Sequence, residues 1–134
     1  MEFKNQYLTY LEYKNLGGTL GEMPFNLLEF KARKIIDERT LGRLDAISQE
    51  YVPQDVKLCV YDIIDILDKY DKSREQNKNI ASESIDGYSI SYKTSEVIAK
   101  AEEIELEGSM QTNLSGVRIN NIPLLYLGVE SYDN

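Results

Sequence analysis

Ile80-Ala81-Ser82-Glu83-Ser84-Ile85-Asp86-Gly87-Tyr88-Ser89-Ile90-Ser91-Tyr92 is the stretch on which the fold of this 134-residue chain turns. Asp86-Gly87 has turn chemistry, because a two-residue type I′ turn needs positive φ at both central positions, which Gly takes freely and Asp tolerates. After it, Tyr88, Ile90 and Tyr92 alternate with Ser89 and Ser91 at the period of a strand. The stretch predicts a β-hairpin over 80–92. Two strands alone are marginal in water, so the hairpin needs a surface to lie on or a neighbour to pair with its edges.

Outward from this point the chain reads as helix. On its N-terminal side, Lys72 to Asn79 is a polar connector. Before that, Pro53 opens the clearest helix, with Val56, Cys59, Val60, Ile63, Ile64, Leu67 and Tyr70 at offsets 0, 3, 4, 7, 8, 11 and 14. That stripe is the expected spine of the core. Further back, Thr9 and Glu12 form a capping-box pattern with Leu8 and Tyr13 as a hydrophobic staple, which predicts a short helix from Tyr10 to Leu16 stopped by Gly17-Gly18. A second helix, between Met23 and Thr40, buries Phe25, Leu28, Ala32, Ile35 and Ile36. Its start has two readings, a capping box over Thr19–Glu22 or Pro24 at the first position, and Gly42 ends it.

On the C-terminal side, Thr94 or Ser95 caps a fourth helix with Val97, Ile98, Ala101 and Ile104 on a narrow apolar face, ending near Gly108. The tail is broken by Gly116, Asn120-Asn121 and Pro123, and then carries the apolar run Leu124 to Val129. The fold class is therefore mainly α: a small bundle of about four helices, a β-hairpin inserted between the third and fourth, and an extended C-terminal arm. Residues 1–108 form the helical domain with the hairpin, and 109–134 form the arm. Burying one side chain of the run stabilises by roughly 1.5 to 3 kcal/mol, so the arm must dock on its own domain or on a partner.

Composition narrows the chemistry. A net charge of −8 argues against general binding to nucleic-acid backbone or to anionic membrane, both of which require clustered Lys and Arg. Cys59 is the single cysteine, so no internal disulfide can form. The N-terminus lacks a signal-peptide pattern and no run has the length of a spanning helix, so the expected site of synthesis and residence is a cytoplasm. With no histidine, the commonest general base and metal ligand is missing. Cys59 falls in the apolar stripe, where a cysteine is normally a small buried hydrophobe. Asp62, Asp65 and Asp68 lie three apart on one helix; with Glu102 or Glu103 they could hold a hard cation, although spaced carboxylates opposite an apolar stripe are usually a solvated face. Ten tyrosines, Tyr61, Tyr70, Tyr88, Tyr92 and Tyr126 among them, suit either the edge of a small core or an interface.

Four segments, Leu8 to Gly18, Phe25 to Asp37, Val52 to Lys57 and Glu83 to Tyr92, together with the closing Leu124 to Val129, resemble in order and spacing the small head–tail connector proteins of tailed bacteriophages. The resemblance implies a subunit made in the host bacterial cytoplasm that ends in the virion neck. There it would join a homo-oligomeric ring, usually of twelve copies, beneath the portal protein. The ring would extend the channel for passing DNA without binding it specifically, and would dock the next neck or tail-completion protein. It implies subunit contacts in the hairpin, through Ile85, Asp86, Gly87, Tyr88, Ile90 and Tyr92. It also implies a portal-docking arm with Ile122, Leu124, Leu125, Tyr126 and Val129. The aspartate face, Asp62, Asp65 and Asp68, or the glutamate-rich fourth helix is the expected channel-facing surface. No catalytic residue, cofactor, metal ion or membrane belongs to this reading.

Two other classes fit parts of the pattern. One is a small all-helical, metal-dependent phosphohydrolase, which needs carboxylates converging from at least two helices. The other is an acidic cytoplasmic regulatory protein that binds a basic partner.

Overall fold

The computed structural model describes residues 5–45, 47–83 and 85–127, with backbone alone over 80–83 and 85–93. Its elements are α1 (Tyr10–Asn15), α2 (Glu22–Arg39), a 3-10 turn at Gln49–Tyr51, α3 (Gln54–Glu83), α4 (Ile85–Leu114), β1 (Arg118–Ile119) and β2 (Ile122–Pro123). The chain is mainly α, with four helices and one small antiparallel hairpin. That hairpin pairs Arg118 with Pro123 and Ile119 with Ile122, and is not the one expected at 80–92.

The stretch around Asp86-Gly87 is helical instead. α3 runs through the expected connector to Glu83, and α4 begins at Ile85, with Asp86 and Gly87 in its first turn. Serine, aspartate and glycine favour turns and helix starts alike, so the local signal supports either. Tertiary packing decides between them. A Gly in a helix costs about 1 kcal/mol, whereas two 30-residue helices, each about 45 Å long, pack against each other. Beyond the core, the described side chains of the two helices meet through polar contacts. Arg74 pairs with Glu102, Lys69 and Tyr70 with Glu105, and Asn77 Nδ2 donates to Ser95 Oγ at 2.9 Å. A search for apolar periodicity does not see such contacts, which is why residues 72–79 read as a connector.

The basal part carries the core. Val56, Cys59, Val60, Ile63 and Ile64 are fully buried, and Leu67 nearly so, as the stripe predicts. α2 covers it with Phe25, Leu28, Ala32 and Ile36. α1 is set by the expected capping box: Thr9 Oγ1 accepts from Glu12 N at 3.1 Å, and Glu12 Oε1 accepts from Thr9 N at 2.9 Å. Gly17, at φ +100°, takes the left-handed cap position. Gly18 is required for another reason, since a Cβ there would fall 2.2 Å from the Tyr13 ring. Tyr13 is buried against Phe25, and its hydroxyl accepts from the backbone N–H of Thr19 and Leu20. α2 starts at Glu22 with Gly21 as its cap, two residues beyond the expected capping-box start, and Pro24 sits in the first turn, where no helical hydrogen bond is lost.

The other correction concerns the tail. α4 passes through Gly108 to Leu114, so residues 109–114 are helical and not part of an extended arm. Met110, Leu114, Val117 and Leu124 all enter the core cluster. The tail as far as Leu124 thus belongs to the helical domain. Leu124→Ala should lower stability by about 2–5 kcal/mol, read as a fall in the urea midpoint with an unchanged slope. Truncation after Asn120 should destabilise the helices at least as much, and an unaffected midpoint in both variants would contradict this packing.

Candidate functional site

The hairpin end of the bundle presents apolar surface on a fixed frame. Asn120 and Asn121 have φ of 54° and 68°, the two successive positive values that a two-residue I′ turn demands. Asn-Asn supplies them by tolerating the left-handed region. This turn folds β2 back on β1 and delivers Leu124 into the core, where its N–H donates to Val117 O at 2.8 Å.

Two arginines hold the chain beyond β2. Arg43 Nη1 donates to Leu124 O at 2.9 Å, and its guanidinium lies 5.7 Å from the centre of the Tyr126 ring. Arg39 Nη1 donates to Leu125 O at 3.4 Å, while its Nε and Nη2 grip both oxygens of Glu107 from 3.1 to 3.2 Å. The arginine holds the Glu107 carboxyl below the ordinary glutamate range, with Gln111 adding a hydrogen bond. A fork of this shape fixes direction as well as distance. Sequence reading passed over both arginines. The only hint was a basic residue in the last turn of α2, where it also favours the helix dipole.

The apolar run therefore divides. Leu124 is fully buried, Ile122 and Leu125 are half-buried, and Tyr126 and Leu127 are exposed, Leu127 by 64%. Beside them, Arg43, Ile47, Ser48, Tyr51, Ile119 and Asn120 line an open groove of about 320 Å³, with the Tyr51 side chain exposed. Val129 lies outside the described residues.

The other expected sites fall elsewhere. Asp62, Asp65 and Asp68 do form a ridge on the outer side of α3. Burial first, then the neighbouring Asp62 and Asp68 charges, raise the Asp65 carboxyl above its ordinary value. Asp62 Oδ2 accepts from Asn113 Nδ2 at 2.9 Å and Asp68 pairs with Lys72 at 2.9 Å. Glu102, Glu105 and Glu107 of α4 meet Arg74, Lys69 and Arg39 and do not converge with the aspartates. Among the described residues no three Asp, Glu or Cys side chains are placed to hold a metal ion. Ile85, Asp86, Gly87, Tyr88, Ile90 and Tyr92 belong to the first turns of α4, and their side chains lie outside the described residues. Cys59 is buried, which pushes its thiol up to about 12, so it stays a neutral hydrophobe near pH 7. None of the described helices is long and apolar enough to cross a membrane.

No family model, no curated protein and no solved structure matches the chain.

The Arg39–Glu107 clamp has a pH signature. A carboxyl whose folded pKa is depressed contributes stability above its unfolded value, and that contribution is lost as pH falls through the folded value. Glu107→Gln should be less stable than the parent at neutral pH, by less than about 1 kcal/mol because the pair is half exposed. The gap should close on acidification below the ordinary glutamate range. Thermal melts of both proteins across pH test this, and a gap independent of pH would contradict it.

Proposed function

We propose that this chain is a head–tail connector of a tailed bacteriophage: a ring subunit that docks on the portal protein by its hairpin end and receives the next neck or tail-completion protein. The observation that carries the reading is the divided tail. Leu124 is locked in the core and two arginines hold the carbonyls of Leu124 and Leu125, so Tyr126 and Leu127 project from a rigid base beside the exposed Tyr51. Apolar and aromatic side chains held outside a core are the usual anchors of a protein interface. The docking element in this reading is a short prefolded lip and not a free arm. This agrees with the order of segments that resembles the connector family.

The acidic surface suits the same task. The Asp62, Asp65 and Asp68 ridge offers phosphate nothing to pair with, as a wall along passing DNA should. An assignment as phosphohydrolase draws less support, because Glu102, Glu105 and Glu107 of α4 are each engaged by a cation of α2 or α3.

Tyr126→Ser combined with Leu127→Ser should keep the helical signal and the urea midpoint while abolishing capture by the portal and joining of heads to tails. Normal head joining by that variant would sink the docking role. Charge reversal of Asp62, Asp65 and Asp68 to Lys should leave assembly intact and slow DNA packaging and ejection. Unchanged rates would remove the ridge from the channel.

A further inference from the structure

Two apolar rows on the outside of the bundle are not accounted for by the hairpin end. On α2, Met23, Leu27 and Phe30 are all exposed and share one helical face, opposite the buried Phe25, Leu28 and Ala32. On α4, Val97 and Ile104 are 67% and 61% exposed. Met23 and Phe30, like Val97 and Ile104, stand seven residues apart, so both rows repeat at about 10.5 Å along their helices. Side chains at that spacing can interdigitate when two helices lie together.

The charges beside the rows differ in sign. The α2 row runs on into Lys31 and Lys34, both exposed, with Glu38 beyond them. The α4 row is flanked by the exposed Glu96 and Glu103; Lys100, on the same side, already pairs with Glu103 at 3.4 Å. A two-fold pairing of either row with itself would place like charges together. Pairing of one row with the other places lysines against glutamates. Such a contact joins two different patches of the same chain, and heterologous contacts of this kind propagate from copy to copy, closing into a ring when the rotation allows.

We infer that the occupant of both rows is a second copy of this chain, the α2 row of one copy seating on the α4 row of the next with Lys31 and Lys34 facing Glu96 and Glu103. The inference rests on the connector reading for its ring, and it moves the lateral contact to the outer faces of α2 and α4.

Disulfide trapping between variants that each carry one added surface cysteine tests the contact directly, since the native Cys59 is buried. Leu27→Cys and Ile104→Cys chains of different mass are mixed at millimolar concentration and oxidised. The mixture should give heterodimers while each variant alone stays monomeric, and the chain carrying both substitutions should give a ladder of multimers. Lys31→Glu with Lys34→Glu in the first chain should cut the heterodimer yield about fivefold, and Glu96→Lys with Glu103→Lys in the second should restore it. If either variant loses helical signal, Phe30→Cys with Val97→Cys replaces the pair. A mixture that remains monomeric, or single variants that dimerise as readily as the mixture, would overturn the contact. Portal capture by the unmodified chain is measured separately, so failure here leaves the hairpin-end docking standing, and failure of portal capture leaves this contact standing.

Discussion

Burial of one stripe on α3 is the interaction on which the rest of the structure depends. Val56, Cys59, Val60, Ile63 and Ile64 lose all contact with water, and α1, α2, the end of α4 and the tail are arranged around them. At roughly 25 cal/mol per Å² of apolar surface, such a stripe outweighs any local preference nearby. It explains why the tail returns to the bundle: a small domain cannot leave Leu124 outside when a place beside Leu114 and Val117 is open to it.

Within that frame, polar groups do the directing. Glu29 is fully buried yet accepts the Tyr7 N–H at 2.9 Å and both contacts from Arg33 Nε, so the chain entering α1 is tied to α2 by a carboxylate. Burial raises its pKa, while Arg33 and the backbone donors oppose the shift. Tyr7 adds a hydrogen bond from its hydroxyl to Asp37. Arg39 and Arg43 play the same part for Leu124 and Leu125. The segments at Tyr7 and at Leu124–Leu125 are thus both fastened to the α2 region by side chains that a hydropathy profile would score as surface.

Legibility in the sequence divides along the same line. The α3 stripe, the inner face of α2 and the Thr9–Glu12 cap were legible because periodicity and capping are local patterns with one meaning. The Asp86-Gly87 turn was misread because its residues serve hairpins and helix starts equally, and the deciding contacts, such as Arg74 with Glu102, lie 28 positions apart. The true hairpin was visible in principle, as Asn120-Asn121 between Ile119 and Ile122, but strands of two residues carry no alternation to notice. The clamp on the tail was not legible at all, since Arg39 and Leu125 are 86 positions apart and nothing local links them.

The polar contacts that α3 and α4 make beyond the core, between Lys69–Asn77 and Ser95–Glu105, are held by different physics from the core itself. Ion pairs such as Lys69–Glu105 and Arg74–Glu102, exposed on at least one side, add little free energy each, while the basal half is held by a dry core. Contacts of that kind give way at a lower free energy than a dry core does, and salt weakens them further. The base of the bundle owes its rigidity to apolar burial, whereas the contacts between Lys69–Asn77 and Ser95–Glu105 depend on ionic strength.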